Sequence, residues 1–208
     1  MYIKVLPLGP VSANCYVVCD DNKIGAIIDP GDYNGVLESA ITYSGMKELK
    51  YIICTHCHFD HVSGVGRLKE KYPDAIVVAG REDAPALSDA VLSAAADFGL
   101  PFYPCYADKT VENGDILPLG DLNLEIISTP GHTKGGIIIY CPQEKVAFTG
   151  DTLFKGSVGR TDLYGGSHAQ LMESVKKIKQ FTNDTVLFCG HGESTTVDRE
   201  LMYNFYLL

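Results

Sequence analysis

Residues 54–61 read Cys-Thr-His-Cys-His-Phe-Asp-His, which puts four potential metal ligands, His56, His58, Asp60 and His61, within six residues. Imidazole and carboxylate donors suit zinc, iron or manganese, and donor type alone does not choose between them. The spacing is informative. Histidines at i and i+4 share one helix face, whereas His56 and His58, at i and i+2, share a face only on extended backbone. A tight turn after Phe59 would then aim Asp60 and His61 at a second point nearby. Chance histidines on a polar loop explain this poorly, because the chain has only six and three of them lie here. Three more candidates follow strand-like runs at glycine turns: His132 after residues 122–127, Asp151 after 145–148 and His191 after 186–189. Glycine permits close backbone approach at such turns. The sixth histidine, His168, reads as a solvent-facing residue in the first turn of a helix, with no metal role.

Gathering seven remote side chains requires strand ends along one sheet edge, where open α/β sheets place their chemistry. The apolar run 51–54 reads as a buried strand feeding the ligand loop. Before it, residues 2–6, 13–19 and 24–28 read as strands, the last two joined by a turn at Asp20-Asp21-Asn22-Lys23. Asp29, ahead of Pro30-Gly31, is either a local turn stabiliser or support for a ligand histidine. A helix is expected over 33–46, with Val36, Leu37, Ala40 and Ile41 on its buried face. Further helices are expected over 63–72 and, from its alanine content, 84–98, with a strand at 75–79 between them. Residues 100–113, rich in proline and aromatics, read as a loop. A second hairpin (116–119 and 122–127), strands at 136–140, 145–148 and 185–189, a helix from the Ser167 capping box to about 180, and a last helix over 197–206 complete the order. This strand–helix alternation is an α/β rhythm without repeats or linkers, and one domain over residues 1–208 is expected.

The composition limits the partners. With 17 Lys plus Arg against 26 Asp plus Glu, the net charge of −9 opposes a nucleic-acid partner. No run approaches the length of a membrane span and the N-terminus lacks signal-peptide form, so a cytoplasmic protein with no membrane partner is expected. Seven scattered cysteines suit reduced thiols. Cys54 and Cys57 form a C-x-x-C without the second pair that a four-cysteine zinc site needs, and Cys54 reads as core.

His56-x-His58-x-Asp60-His61, His132, Asp151 and His191, with Ser12-Ala13-Asn14-Cys15-Tyr16, Asp29-Pro30-Gly31, Thr129-Pro130-Gly131-His132-Thr133 and Phe148-Thr149-Gly150-Asp151-Thr152, resemble the motifs of the metallo-β-lactamase-fold hydrolases. The run Gly156-Ser157-Val158-Gly159-Arg160-Thr161-Asp162 is similar to the glyoxalase II-like branch, in its short bacterial form. The resemblance covers nearly the whole chain. It implies an α/β four-layer αββα sandwich with two divalent metal ions, zinc first and iron or manganese as alternatives. His56, His58 and His132 would hold one ion, Asp60, His61 and His191 the other, and Asp151 would bridge them, making Asp60 and Asp151 the carboxylates at the reacting centre. True β-lactamases differ in having cysteine where Asp151 stands and often arginine at His61, so antibiotic hydrolysis is not expected.

The implied chemistry is hydrolysis of a hydroxyacyl thioester such as a glutathione conjugate. Water on such ions reaches a pKa of about 7, making hydroxide available as nucleophile, and the site would keep roughly one net positive charge for an anionic transition state. Thiolate leaves readily, its acid having a pKa of about 8.5. Lys134, Lys155 and Arg160 are the basic candidates for substrate contact, with a solvated surface charge as the plain alternative for each lysine. The C-terminal helical domain that serves glutathione in longer glyoxalase II enzymes is expected to be missing, since the chain ends soon after His191. One rival is a mononuclear Fe(II) persulfide dioxygenase using His56, His132 and Asp151. Another is a non-catalytic metal-binding protein, and a nuclease is disfavoured by the charge. Phe154, Tyr103 and Tyr106 could each line a cleft or pack in the core.

Overall fold

Strands buried on both faces need cover on both faces, and the apolar runs of this chain meet that need by pairing two sheets. The computed structural model describes residues 1–100 and 102–208. One sheet takes β1 (Tyr2–Leu8), β2 (Ala13–Cys19), β3 (Ile24–Ile28), β4 (Glu48–Cys54), β5 (Ile76–Gly80) and β6 (Lys109–Val111) in simple sequence order. Its first three strands are antiparallel and the rest parallel. The other holds β7 (Ile116–Leu119), β8 (Leu122–Ser128), β9 (Ile137–Cys141) and β10 (Val146–Gly150). A small ribbon of β11 (Leu153–Phe154) and β12 (Ser157–Val158) follows, and β13 (Val186–Cys189) and β14 (Thr195–Thr196) then complete the second sheet.

Alternation along each strand sorts its side chains into layers. Tyr16 and Val18 of β2 and Tyr51 and Ile53 of β4 meet Leu124, Ile139 and Phe148 between the sheets. Their neighbours Cys15, Val17, Ile52 and Cys54 turn outward, under α1 (Gly35–Ser44), α2 (Phe59–Val62) and α3 (Val65–Lys71). After α4 (Ala95–Phe98), the second sheet's outer face, with Ile127, Ile138 and Ala147, is covered by α5 (His168–Val175) and α6 (Val197–Tyr203). The result is the expected αββα sandwich. Among the described residues no helix is long and apolar enough to cross a membrane.

Several expectations shift in detail. The helix expected over 33–46 is α1, begun by the Asn34 side chain, which accepts from Val36 N at 2.9 Å, and ended at Gly45 with φ 70°. Val36 is 58% exposed, so Leu37, Ala40 and Ile41 carry the buried face without it. The alanine-rich helix over 84–98 does not form. A 3-10 turn at Ala84–Ser88 stops where the Asp89 carboxylate accepts from Val91 N and Leu92 N at 2.8 and 3.2 Å, a turn that outcompetes alanine's helix propensity. Only the single turn α4 remains helical, and its N-cap Ala94 has φ 62°. The expected loop at 100–113 contains β6, whose Val111 is buried, while Pro101 lies outside the described residues. The helix from Ser167 tightens into a 3-10 turn over Lys176–Gln180, and the last helix stops at Tyr203.

Candidate metal centre

The ligand loop leaves β4 extended. Cys57 points into the core, so His56 and His58 on either side of it turn to the same face. His58, at φ −69° and ψ 147°, is the N-cap of α2, and this one turn of helix carries Asp60 and His61. His132 follows β8, Asp151 follows β10 and His191 follows β13. The parallel pair β10–β13 shifts register between Phe148 and Gly150, pairing Gly150 with Cys189. That shift sets Asp151 beside Gly190, ahead of His191.

All seven side chains converge. The rings of His56, His58 and His132 offer nitrogens within 4.8 Å of one another, and Asp60, His61 and His191 form a second such group. His58 Nδ1 and His132 Nε2 face each other at 2.9 Å, His61 Nε2 and His191 Nε2 at 3.3 Å. Asp151 reaches both groups, with Oδ2 at 3.5 Å from His132 Nε2 and 3.7 Å from His191 Nε2, and Oδ1 at 3.4 Å from His61 Nε2. His56 Nε2 and Asp151 Oδ1 are buried without hydrogen-bond partners.

A family model described as the metallo-beta-lactamase superfamily matches residues 8–191. The chain belongs to the metallo-beta-lactamase superfamily. Within the superfamily, it is 36% identical to the hydroxyacylglutathione hydrolase GloC of Haemophilus influenzae, over 100% of this chain and 98% of that one. A solved structure described as TTHA1623 in a di-iron-bound form is 34% identical with a TM-score of 0.88, covering 98% of this chain and 100% of the other. Another, described as the BLEG-1 B3 metallo-beta-lactamase, is also 34% identical, with a TM-score of 0.89 and 99% coverage of both chains.

Like other superfamily hydrolases, the chain is metal-dependent, and the protonation pattern around its two donor groups is uneven. Burial, followed by the charge of His61, holds His56 well below the usual imidazole range. Burial and then His132 bring His58 down to about 3. Burial also opposes charge on His61, but Asp151, Asp29 and Asp60 outweigh it and raise His61 to about 10. The hydrogen bond to Asp60 raises His191 against its burial. Asp60 would be raised by burial, yet His191 and His61 bring it to about 2. The metal-free centre therefore holds His56 and His58 as neutral imidazoles in one group and a proton-rich, carboxylate-bound pair in the other.

Side chains behind the centre fix its geometry. The Asp29 carboxylate accepts from Thr55 N and Thr55 Oγ1 at 2.7 and 2.6 Å and lies 3.0 Å from His61 Nδ1, while its own turn is closed by the backbone, Gly31 N donating to Asp29 O. Asp29 holds φ 51°, a left-handed conformation that aims the carboxylate at the ligand loop. His132 Nδ1 lies 2.7 Å from the Arg160 carbonyl, so the backbone of that motif orients a ligand ring. The Arg160 guanidinium is itself bound by Asp162, though Arg160 does line the cleft before the centre. Lys155 pairs with Glu193, and Lys134 sits 5.2 Å over the Tyr164 ring beside a separate cavity. Neither lysine lines the cleft. Phe154 does, while Tyr103 and Tyr106 are exposed elsewhere.

One residue the sequence reading passed over is Asp83. It is buried, and its two oxygens accept from Cys57 N at 3.2 Å and Gly135 N at 2.6 Å. It ties the loop of His56 and His58 to the turn after His132. In sequence it looks like half of a surface Glu82-Asp83 pair. Its signal was the grammar of the ligands themselves, a carboxylate just after an apolar strand and a glycine.

Proposed function

We propose that residues 1–208 form one domain that hydrolyses thioesters at a two-cation centre. In this reading His56, His58 and His132 would hold one divalent cation, Asp60, His61 and His191 the second, and Asp151 would serve both. The observation that carries it is the position of Asp151, within 4 Å of nitrogens from both donor groups. The donor set fits the cations: facing imidazole nitrogens at 2.9 and 3.3 Å need a proton or cation between them, and His56 Nε2 and Asp151 Oδ1 are left without partners. Zinc, iron and manganese all suit such donors, and a solved relative carries two irons.

When bound, divalent ions polarise a carbonyl and bring the pKa of water to about 7. The chain supplies the rest. Burial keeps His56 and His58 neutral, with lone pairs available. A proton on His61 Nδ1, held by Asp29, leaves Nε2 free for the centre, and a proton on His132 Nδ1, held by the Arg160 carbonyl, does the same there. In the net reaction, oxygen from water bonds to the carbonyl carbon and the carbon–sulfur bond breaks. The sulfur leaves as thiolate, so no separate general acid is required. The group of Asp60, His61 and His191 supports this over a mononuclear dioxygenase, which would leave those donors unused.

The test is turnover of S-lactoylglutathione by fully loaded protein, with metal counted in the same sample. Hydrolysis with two ions per chain is expected. One iron per chain with oxygen uptake would favour the dioxygenase, and faster hydrolysis of a β-lactam would move the reading toward the BLEG-1 neighbour.

Cation binding should release protons. His61 is raised to about 10, so it is charged at neutral pH in the metal-free protein and must lose its proton to bind. Apparent affinity is therefore expected to climb about tenfold per pH unit for each displaced proton, up to roughly pH 10. Calorimetry in buffers of different ionisation enthalpy would read the protons released, and zero release at pH 7 would contradict the assignment. Asp83→Ala should weaken cation affinity by about 10- to 100-fold, since outer groups that orient ligands carry effects of that size. Chelator competition on the refolded variant measures it.

A further inference from the structure

The cleft in front of the donor groups has a volume of about 340 Å³. Away from the metal-binding side chains its wall is almost wholly apolar: Val11, Phe59, Phe98, Phe154 and Leu163 line it, with Arg160 the one cation. Phe59 comes directly before Asp60, and its ring packs against Phe98 at 5.1 Å between centroids, tilted by 41°. Phe154 meets the His191 ring edge-on at 6.0 Å. Both aromatic contacts therefore adjoin donors. Val11 and Phe98 are about half exposed at 47% and 49%, an apolar area left open beside the centre.

Glutathione carries two carboxylates and an ammonium group, and a site that grips it needs charges to match. The described lining does not provide them. Arg160 spends its guanidinium fork on Asp162, with Nε and one terminal nitrogen at 2.7 and 2.8 Å from the two carboxylate oxygens. Lys134 and Lys155 are held outside the cleft by Tyr164 and Glu193.

We infer that this centre selects thioesters by an apolar arm lying along Phe59, Phe98, Phe154 and Leu163, and leaves a charged thiol arm such as glutathione in solvent. The inference rests on the thioester reading above and narrows it. Burial of apolar surface is worth about fourfold in affinity per methylene when complete, so the half-open wall should yield about twofold per methylene.

The experiment compares two lactoyl thioesters on metal-loaded protein, one of glutathione and one of neutral N-acetylcysteamine. Values of kcat/KM within about threefold of each other are expected, and a preference above about tenfold for glutathione overturns the inference. Lengthening the acyl arm from acetyl to hexanoyl, and separately the thiol arm from ethyl to hexyl, should raise kcat/KM along at least one series. Flat or falling values in both overturn it. Phe98→Ser and Leu163→Ser should flatten the rising series, the exposed Phe98 position keeping the fold intact. As a readout independent of turnover, S-hexyl-N-acetylcysteamine, a thioether that cannot be cleaved, should bind at least about tenfold more tightly than its S-methyl counterpart by calorimetry; equal Kd values overturn the inference. Hydrolysis with no apolar preference removes the inference alone. Failure to hydrolyse any thioester removes the thioester reading and this inference with it.

Discussion

Under the proposed thioester reading, Asp151→Ala is expected to lower hydrolysis by on the order of 10³-fold, because a change of several kcal/mol in charge stabilisation has that effect on rate. If the parent holds two ions per chain, as proposed, the variant should hold one or fewer. The reason lies in its reach. Asp60 Oδ2 lies near His61 and His191, at 3.5 and 3.2 Å, and so serves one donor group. Asp151 lies near His132, His61 and His191, and serves both. Asp60→Ala should therefore empty one position, whereas Asp151→Ala disturbs two. The charge of Asp151 also favours the proton on His61, together with Asp29 and Asp60. In the metal-free variant the His61 pKa should fall from about 10, which nuclear magnetic resonance titration of the ring would read. Full metal occupancy with activity within tenfold of the parent would contradict the role given to Asp151.

Gly190→Ala should strike the centre directly. A Cβ there would sit 2.0 Å from Asp151 Oδ1 and 2.9 Å from His61 Cε1. The backbone cannot slide away, because Gly190 N donates to Gly150 O at 2.8 Å and Gly190 O accepts from Asn14 N at 2.7 Å. Asp151 or His61 must move instead. A displacement of about 1 Å at a reacting centre costs on the order of 100-fold in rate, and overpacking costs about 1–3 kcal/mol of stability. Gly114→Ala is the control. Its φ is +90° and open space surrounds it, so it should cost about 1 kcal/mol of stability with activity unchanged. Kinetics and thermal unfolding on both variants would separate the collision from backbone strain alone.

Much of this centre was legible before any coordinates because strand ends announce themselves locally. The i, i+2 spacing of His56 and His58 gave the face, since alternate residues on extended backbone point the same way, and His132, Asp151 and His191 each followed an apolar run and a glycine turn. The four layers came from the family resemblance, with which the strand and helix order agreed, and the structure shows each strand's alternation splitting its residues between seam and helices. What failed was decided by competition or by distance. Alanine content argued for a helix over 84–98, but one carboxylate, Asp89, offered the backbone a turn instead. Lys134 and Lys155 were plausible anion contacts in sequence, yet Tyr164 and Glu193 claim them. Asp83 carried the same strand-and-glycine signal as the ligands but nothing that marked what it would touch, and the apolar wall of the cleft carried no signal at all, because the partners of both lie far away in the chain.

The division of labour between the two sheets has an outcome for how the molecule matures. The first sheet ends at Val111 and the second begins at Ile116. Each donor group takes two members from the leading half, His56 and His58 or Asp60 and His61, and its third from the trailing half, His132 or His191. A nascent chain halted before β13 thus owns the whole histidine-rich loop but only one finished triad. Under the two-cation reading, a full ion complement would wait until β13 has docked and brought His191 into place, and a product truncated before β13 would hold fewer ions.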